Sequence, residues 1–233
     1  MDRPPIPPFL TVGPRNLSRI LLVAKSPRPG RVKTRLIPSI GPEEAATLAG
    51  AFLSDLAATL DATGIPWSVA LPDDDDPADL LQRMGREVPW LRQGPGDLGS
   101  RLARITAAAF AAHGGPVAVL GSDHPNVPGA WLRRCLEIAA GDRAAWIPTE
   151  DGGYACLALP RDLPGMFADV PWSTANVAAI TRNRARACGV HLETIGTWYD
   201  VDRPEDLHRL AADPALGEHC PATARVLERL GFR

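Results

Sequence analysis

Five segments of this chain concentrate residue types that can handle charge. The first, residues 25–35 (KSPRPGRVKTR), carries Lys25, Arg28, Arg31, Lys33 and Arg35 and no acid. Two prolines and a glycine limit its conformations, so the charges can be held in place. Arginine offers paired donors to phosphate oxygens and lysine a point charge, which makes a nucleoside triphosphate or pyrophosphate the natural guest. The plain alternative is a solvated basic loop. Against it, this loop directly follows a buried apolar run.

The second segment is Gly121-Ser122-Asp123-His124-Pro125. An aspartate placed after an apolar strand suits magnesium, which takes one or two carboxylates and completes its shell with substrate phosphates. Asp123 could also be only a helix cap, and His124 reads better as a supporting residue than as a catalytic one. The third segment is 199–207 (YDVDRPEDL). Asp202 could be just an N-cap, but Asp200 and Asp202 in an extended stretch would point to one side. Together with Asp123 they form the expected metal set, for Mg2+ or Mn2+.

The fourth segment, 93–101 (QGPGDLGSR), has three glycines that allow close backbone approach and runs into a helix N-terminus, a setting that favours anions. Gly96, Asp97 and Arg101 are its candidate nucleotide contacts. The fifth pairs 150–154 (EDGGY) with 171–174 (PWST), which read alone as turns or caps and could line the acceptor side. The four aspartates 73–76 read as a solvated turn and helix entry. Neither G-x-x-x-x-G-K-[ST] nor G-x-G-x-x-G follows the first apolar run, which argues against a P-loop and against a dinucleotide cofactor.

These segments need a frame. Short apolar runs at 18–24 (SRILLVA) and 116–120 (PVAVL) predict strands buried on both faces. Further strands are expected at 67–71, 88–93, 144–148, 154–159 and 191–195. Helices are expected at 42–63, 97–113, 129–140 and 174–187, from about 203, and briefly within 220–233. The EDGG turn predicts that the strands on either side of it pair as a hairpin. Strands alternating with helices give an α/β three-layer sandwich with a mostly parallel sheet, whose ligands bind beyond the strands' carboxyl ends. Residues 1–17 read as a flexible proline-rich arm and 18–233 as one domain.

Composition narrows the classes. Net charge is −2 and 45% of residues are hydrophobic, so nothing attracts the chain generally to nucleic acid or membrane. The four cysteines are far apart with no C-x-x-C pair, which reads as free, mostly buried thiols in a reducing compartment. A cytoplasmic protein is expected, and a homodimer is left open.

Taken in order, AKSPRPGRVKTRL, QGPGDLGSRL, GSDHP, EDGGY, PWST and DVDRPEDL resemble the bacterial DUF2064 family of the GT-A superfamily, glycosyltransferase-like or nucleotide-diphospho-sugar transferases, over about residues 18–212. The first and last pieces are also similar to phospholactate guanylyltransferases, and the ending to sugar-activating cytidylyltransferases. The resemblance implies a GT-A-like fold, metal on Asp123 and Asp202, and phosphate contacts from Lys25, Lys33 and Arg35. The nucleotidyltransferase opening L-x-G-G-x-x-x-R is absent, which leaves the base open.

Two reactions suit this inventory. In nucleotidyl transfer a phosphorylated small molecule attacks an NTP and pyrophosphate leaves; the site then needs positioning and charge neutralisation more than a base. Catalytic parts fall to Asp123, Lys33 and Asp151. The alternative is glycosyl transfer from a nucleotide sugar, with Asp151 or Glu150 deprotonating an acceptor hydroxyl.

Overall fold

A computed structural model describes residues 17–233. The expected arm lies, but for its last residue, outside them. The chain forms β1 (Arg19–Val23), α1 (Ile37–Ile40), α2 (Pro42–Thr63), β2 (Trp67–Leu71), α3 (Pro77–Met84), β3 (Trp90–Arg92), α4 (Leu98–His113) and β4 (Val117–Gly121). It continues with α5 (Gly129–Ala140), β5 (Ala144–Pro148), β6 (Tyr154–Leu159), α6 (Val177–Ala187), β7 (Leu192–Thr194), α7 (Pro204–Ala211), α8 (Leu216–His219) and α9 (Pro221–Arg229).

One seven-stranded sheet runs in the order β3-β2-β1-β4-β6-β5-β7. Strands β1 to β4 are mutually parallel where they pair, β6 is antiparallel to both β4 and β5, and β7 is parallel to β5. Every strand except β6 therefore points the same way. The loops after β1, β2, β3, β4 and β5 all emerge at one edge, and the turn before β6 joins them there. The predicted α/β sandwich is the observed one, hairpin included.

Alternation along β1 shows why it must be covered twice. Ile20 and Leu22 enter the core beneath α2, α3 and α5, whereas Leu21 faces the opposite core with Leu102, Ile105 and Trp146. All three β1 side chains are fully buried. A third cluster joins α2, through Leu48 and Phe52, to Leu207, Leu210 and Leu227. Helix α2 begins with Pro42 and ends at Gly64, whose φ of +71° is the left-handed conformation that stops helices. The four cysteines are free, three of them buried. Among the described residues no helix is long and apolar enough to cross a membrane.

Candidate active site at the carboxyl edge of the sheet

The basic loop after β1 is not simply solvated. Arg28 Nε donates to Asp79 at 2.5 Å and Arg31 to Asp74 at 2.6 Å. The Ser26 N–H donates to Asp75 at 2.6 Å, and the Ser26 hydroxyl to the Asp76 carbonyl at 3.0 Å. On the other side of the acidic run, Asp73 accepts from the Gly94 N–H at 2.9 Å, and Asp76 caps α3 through the Ala78 N–H. All four aspartates are engaged. The turn and helix entry expected at 73–76 are there, with Asp73, Asp74 and Asp76 exposed, and the same turn is also a clasp joining the basic and glycine-rich loops. Its signal in the sequence was one run of cations without acids and one run of acids without cations.

This clasp sorts the five cations. Arg28 and Arg31 are committed to carboxylates and hold the loop. Lys25 is exposed, has no partner among the described residues, and lies near enough to Asp123 to help lower its pKa. Arg35 is exposed and makes only a 3.4 Å contact with Asp202.

Lys33 is the fifth, and it points inward. Its ammonium donates to Asp123 in a short contact, to Asp202 at 3.1 Å and to the Val201 carbonyl at 2.8 Å, and lies 5.1 Å from the Phe52 ring centre. Burial alone would raise the Asp123 carboxyl, but Lys33 outweighs it and holds that pKa below the ordinary range. Lys33, expected on phosphate, thus bridges the two carboxylates expected on metal. The bridge is sealed from behind by the Val201 N–H, which donates to the Asp123 carbonyl at 3.0 Å.

Asp202 does not cap α7. Asp206 does, accepting from the backbone N–H groups of Asp202 at 3.0 Å and Arg203 at 2.7 Å, and this leaves the Asp202 carboxylate for the site. Asp206→Ala should cost about 1 kcal/mol, the usual worth of a cap. An unchanged urea midpoint would show that α7 begins without it.

Asp200 turns to different partners. Its Oδ1 lies 3.3 Å from His124 Nε2, and it shares a hydrogen bond with Asp151. The side-by-side placement with Asp202 assumed a regular strand, and residues 199–203 form none. Among the described residues no three His, Cys, Asp or Glu side chains are arranged so that they could hold a metal ion together, so Asp123, Asp200 and Asp202 do not make one three-carboxylate cage. Burial first, then the Asp151 charge, pushes the Asp200 pKa up to about 8. His124 is buried, with Nδ1 3.1 Å from the Tyr199 carbonyl, which accepts and so fixes the proton on Nδ1. Burial also lowers the His124 pKa despite the neighbouring Asp123. At neutral pH the cluster is therefore a neutral imidazole, a protonated Asp200 and an ionised Asp151.

Asp151 itself is held in its turn. It accepts from the Thr149 hydroxyl at 2.6 Å and the Gly153 N–H at 2.9 Å, and these bonds outweigh burial to keep its pKa low. Glu150 is gripped by both Arg209 nitrogens, at 2.6 and 2.9 Å. Gly152 has φ +91°, and a side chain there would meet the Ala175 carbonyl at 2.2 Å, so the EDGG turn packs directly on the chain after PWST. Asp97 is the N-cap of α4, accepting from the Ser100 N–H at 2.8 Å, while Arg101 donates to the Gly96 carbonyl at 2.9 Å. A separate cleft of about 470 Å3 between α2, α3 and α9 is lined by Arg83, Arg225 and Arg229, but it has no carboxylate and none of these residues.

Comparison with known structures identifies the fold. A provisionally named nucleotide-diphospho-sugar transferase from Desulfovibrio desulfuricans G20 superimposes with a TM-score of 0.84 at 27% identity, over 92% of this chain and 95% of that one. A nucleotidyl transferase from a Methanothermobacter species follows with a TM-score of 0.55 at 17% identity, over 84% and 96%. CMP:2-keto-3-deoxy-manno-octonic acid synthetase complexed with CTP has a TM-score of 0.51 at 14% identity, over 84% and 97%. The fold is that of the nucleotide-diphospho-sugar transferases, and the class it defines is the transferases that handle nucleotides or nucleotide sugars. Within that class the chain belongs to the DUF2064 family, described as an uncharacterized protein conserved in bacteria, which matches residues 55–174. No curated protein matches it.

Proposed function

We propose that this chain is a metal-assisted nucleotidyltransferase that joins an NTP to a phosphorylated small molecule and releases pyrophosphate. The observation that carries the reading is the charge arrangement at one sheet edge, where exposed Lys25 and Arg35 flank the Asp123–Asp202 pair. An anionic phosphate oxygen of the acceptor would attack the α-phosphorus. The bond from that phosphorus to the bridging oxygen would break, and pyrophosphate would leave with the electron pair. No proton need move, because the attacking oxygen is already ionised. The cations neutralise the triphosphate tail, and the clasped loops hold them in place.

Asp123 and Asp202 suit a hard divalent cation. They are two carboxylates, 46% and 34% exposed, brought to a single ammonium, which is the donor number magnesium takes when phosphates complete its shell. Magnesium or manganese held there would neutralise phosphate charge and polarise the α-phosphate. Phosphate attack is favoured over hydroxyl attack because both candidate bases are engaged, Glu150 by Arg209 and Asp151 by its own turn. The partners of this reading are a nucleotide and a small phosphorylated acceptor, without nucleic acid or membrane.

The test is pyrophosphate release from each of the four NTPs, with magnesium and a panel of sugar phosphates and phosphorylated hydroxy acids. Acceptor-dependent pyrophosphate is expected with one NTP. Nucleoside diphosphate released from a nucleotide sugar, with no pyrophosphate from any NTP, would replace this reading with glycosyl transfer.

A further inference from the structure

Lys33 spends conformational energy to sit where it does. Its φ of +46° lies in the left-handed region, which is unfavourable for a residue other than glycine. The side chain is only 4% exposed. An ammonium has three hydrogens, and the three oxygen acceptors around this one, on Asp123, Asp202 and Val201, match them. In this arrangement Lys33 has no hydrogen to give to a phosphate. The carboxylates it bridges remain partly open to solvent on their other sides.

Two carboxylates and one ammonium leave a single net negative charge, reduced further by Arg35 at 3.4 Å. A free divalent cation approaching this pair meets much less attraction than two bare carboxylates would offer. Nor can it push the lysine out at low cost, because a buried ammonium stripped of partners is strongly destabilised. A metal–nucleotide complex differs on both counts. It brings phosphate oxygens of its own, which can accept the hydrogens that the carboxylates give up.

We propose that Lys33 is a resident counter-ion that keeps the Asp123–Asp202 pair from holding a free divalent cation and so ties metal binding to nucleotide binding. The inference rests on the reading that these two carboxylates hold the metal. Nucleotide arrival hands the ammonium from carboxylate to phosphate, and the pair is then released to the cation. Metal and nucleotide must in consequence strengthen each other's binding, since such coupling is reciprocal.

The experiment is a Mn2+ titration followed by the electron paramagnetic resonance signal of free Mn2+. It compares the wild type, Lys33→Met, Lys33→Gln and Arg35→Gln, with and without a non-hydrolysable NTP analogue. Manganese held by the analogue alone is subtracted. The glutamine variant keeps amide donors near the carboxylates, which guards against loss of the fold. Both Lys33 variants are expected to bind Mn2+ without nucleotide at least about tenfold tighter than wild type, and Arg35→Gln, whose charge is exposed and screened, less than about threefold. Nucleotide should raise Mn2+ affinity strongly in wild type and far less in the Lys33 variants. Equal nucleotide-free affinity in wild type and both variants overturns the counter-ion role. So does an equal gain in Arg35→Gln. In either case, nucleotide-dependent Mn2+ binding by the wild type leaves the metal reading standing, whereas no Mn2+ binding by any protein under any condition overturns both.

Discussion

Asp123→Asn is expected to cut turnover by about three orders of magnitude and to leave the fold in place. The size follows from the proposed chemistry, in which catalysis would be charge neutralisation on phosphates and removal of one preorganised group typically costs about 10²–10³. Asparagine keeps the shape and one acceptor for the Lys33 ammonium, which also retains Asp202 and the Val201 carbonyl. The Asp123 backbone carbonyl still receives the Val201 N–H, so the attachment of the 199–203 segment to the end of β4 does not depend on the carboxylate. Pyrophosphate release and the thermal midpoint should be measured on the same preparation. Turnover within tenfold of wild type would remove Asp123 from the chemistry. A midpoint lowered by many degrees would mean that the loss of turnover is structural.

How far the sequence led depends on how local each signal is. Strands β1 and β4 were legible because they are continuous apolar runs, and α2 because its period, its entering proline and its stopping glycine agree. Thr174 marks the start of α6 too early: its hydroxyl accepts from the Asn176 N–H as a cap would, but the turn it closes is not yet α-helical and the helix starts at Val177. Strand β3 is three residues long where six were expected. The EDGG turn revealed that β5 and β6 pair, but insertion of β6 beside β4 is a long-range event with no local mark.

The candidate site shows the same limit. Its residues were found because strand ends in a parallel sheet must gather at one edge, which is a property of topology. What each residue touches was not legible. Contacts between the basic loop and the residue 74–79 region span 43 to 51 positions, and Lys33 reaches 90 positions to Asp123. With five cations and more than five carboxylates converging, pattern alone could not say which would pair. The structure assigns Arg28 and Arg31 to holding the loop, Lys33 to the carboxylate pair, and Lys25 and Arg35 to the open edge.

Asp200 carries the second large effect, and it appears in stability against pH. Its folded pKa of about 8 lies above the ordinary aspartate value of 3.8, so between these limits the native state keeps a proton that the unfolded chain has released. Stability from this group is therefore lost as pH rises through that window. Asp200→Asn removes the titration while leaving donors for Asp151 and His124. Urea unfolding of the two proteins should give a difference that grows in favour of the variant by about 2–3 kcal/mol from pH 5 to pH 8, allowing for relaxation and water entry below the ideal 1.4 per unit. His124, whose lowered pKa acts in the opposite sense as pH falls, is present in both proteins and largely cancels. A difference that stays flat with pH would mean that Asp200 is ionised like any exposed aspartate. The growing difference has a consequence for the site, because a carboxyl that stays protonated at neutral pH supplies no charge to a cation. In the proposed metal site Asp123 and Asp202 would then carry the cation's charge between them, with Asp200 holding the position of the segment that presents Asp202.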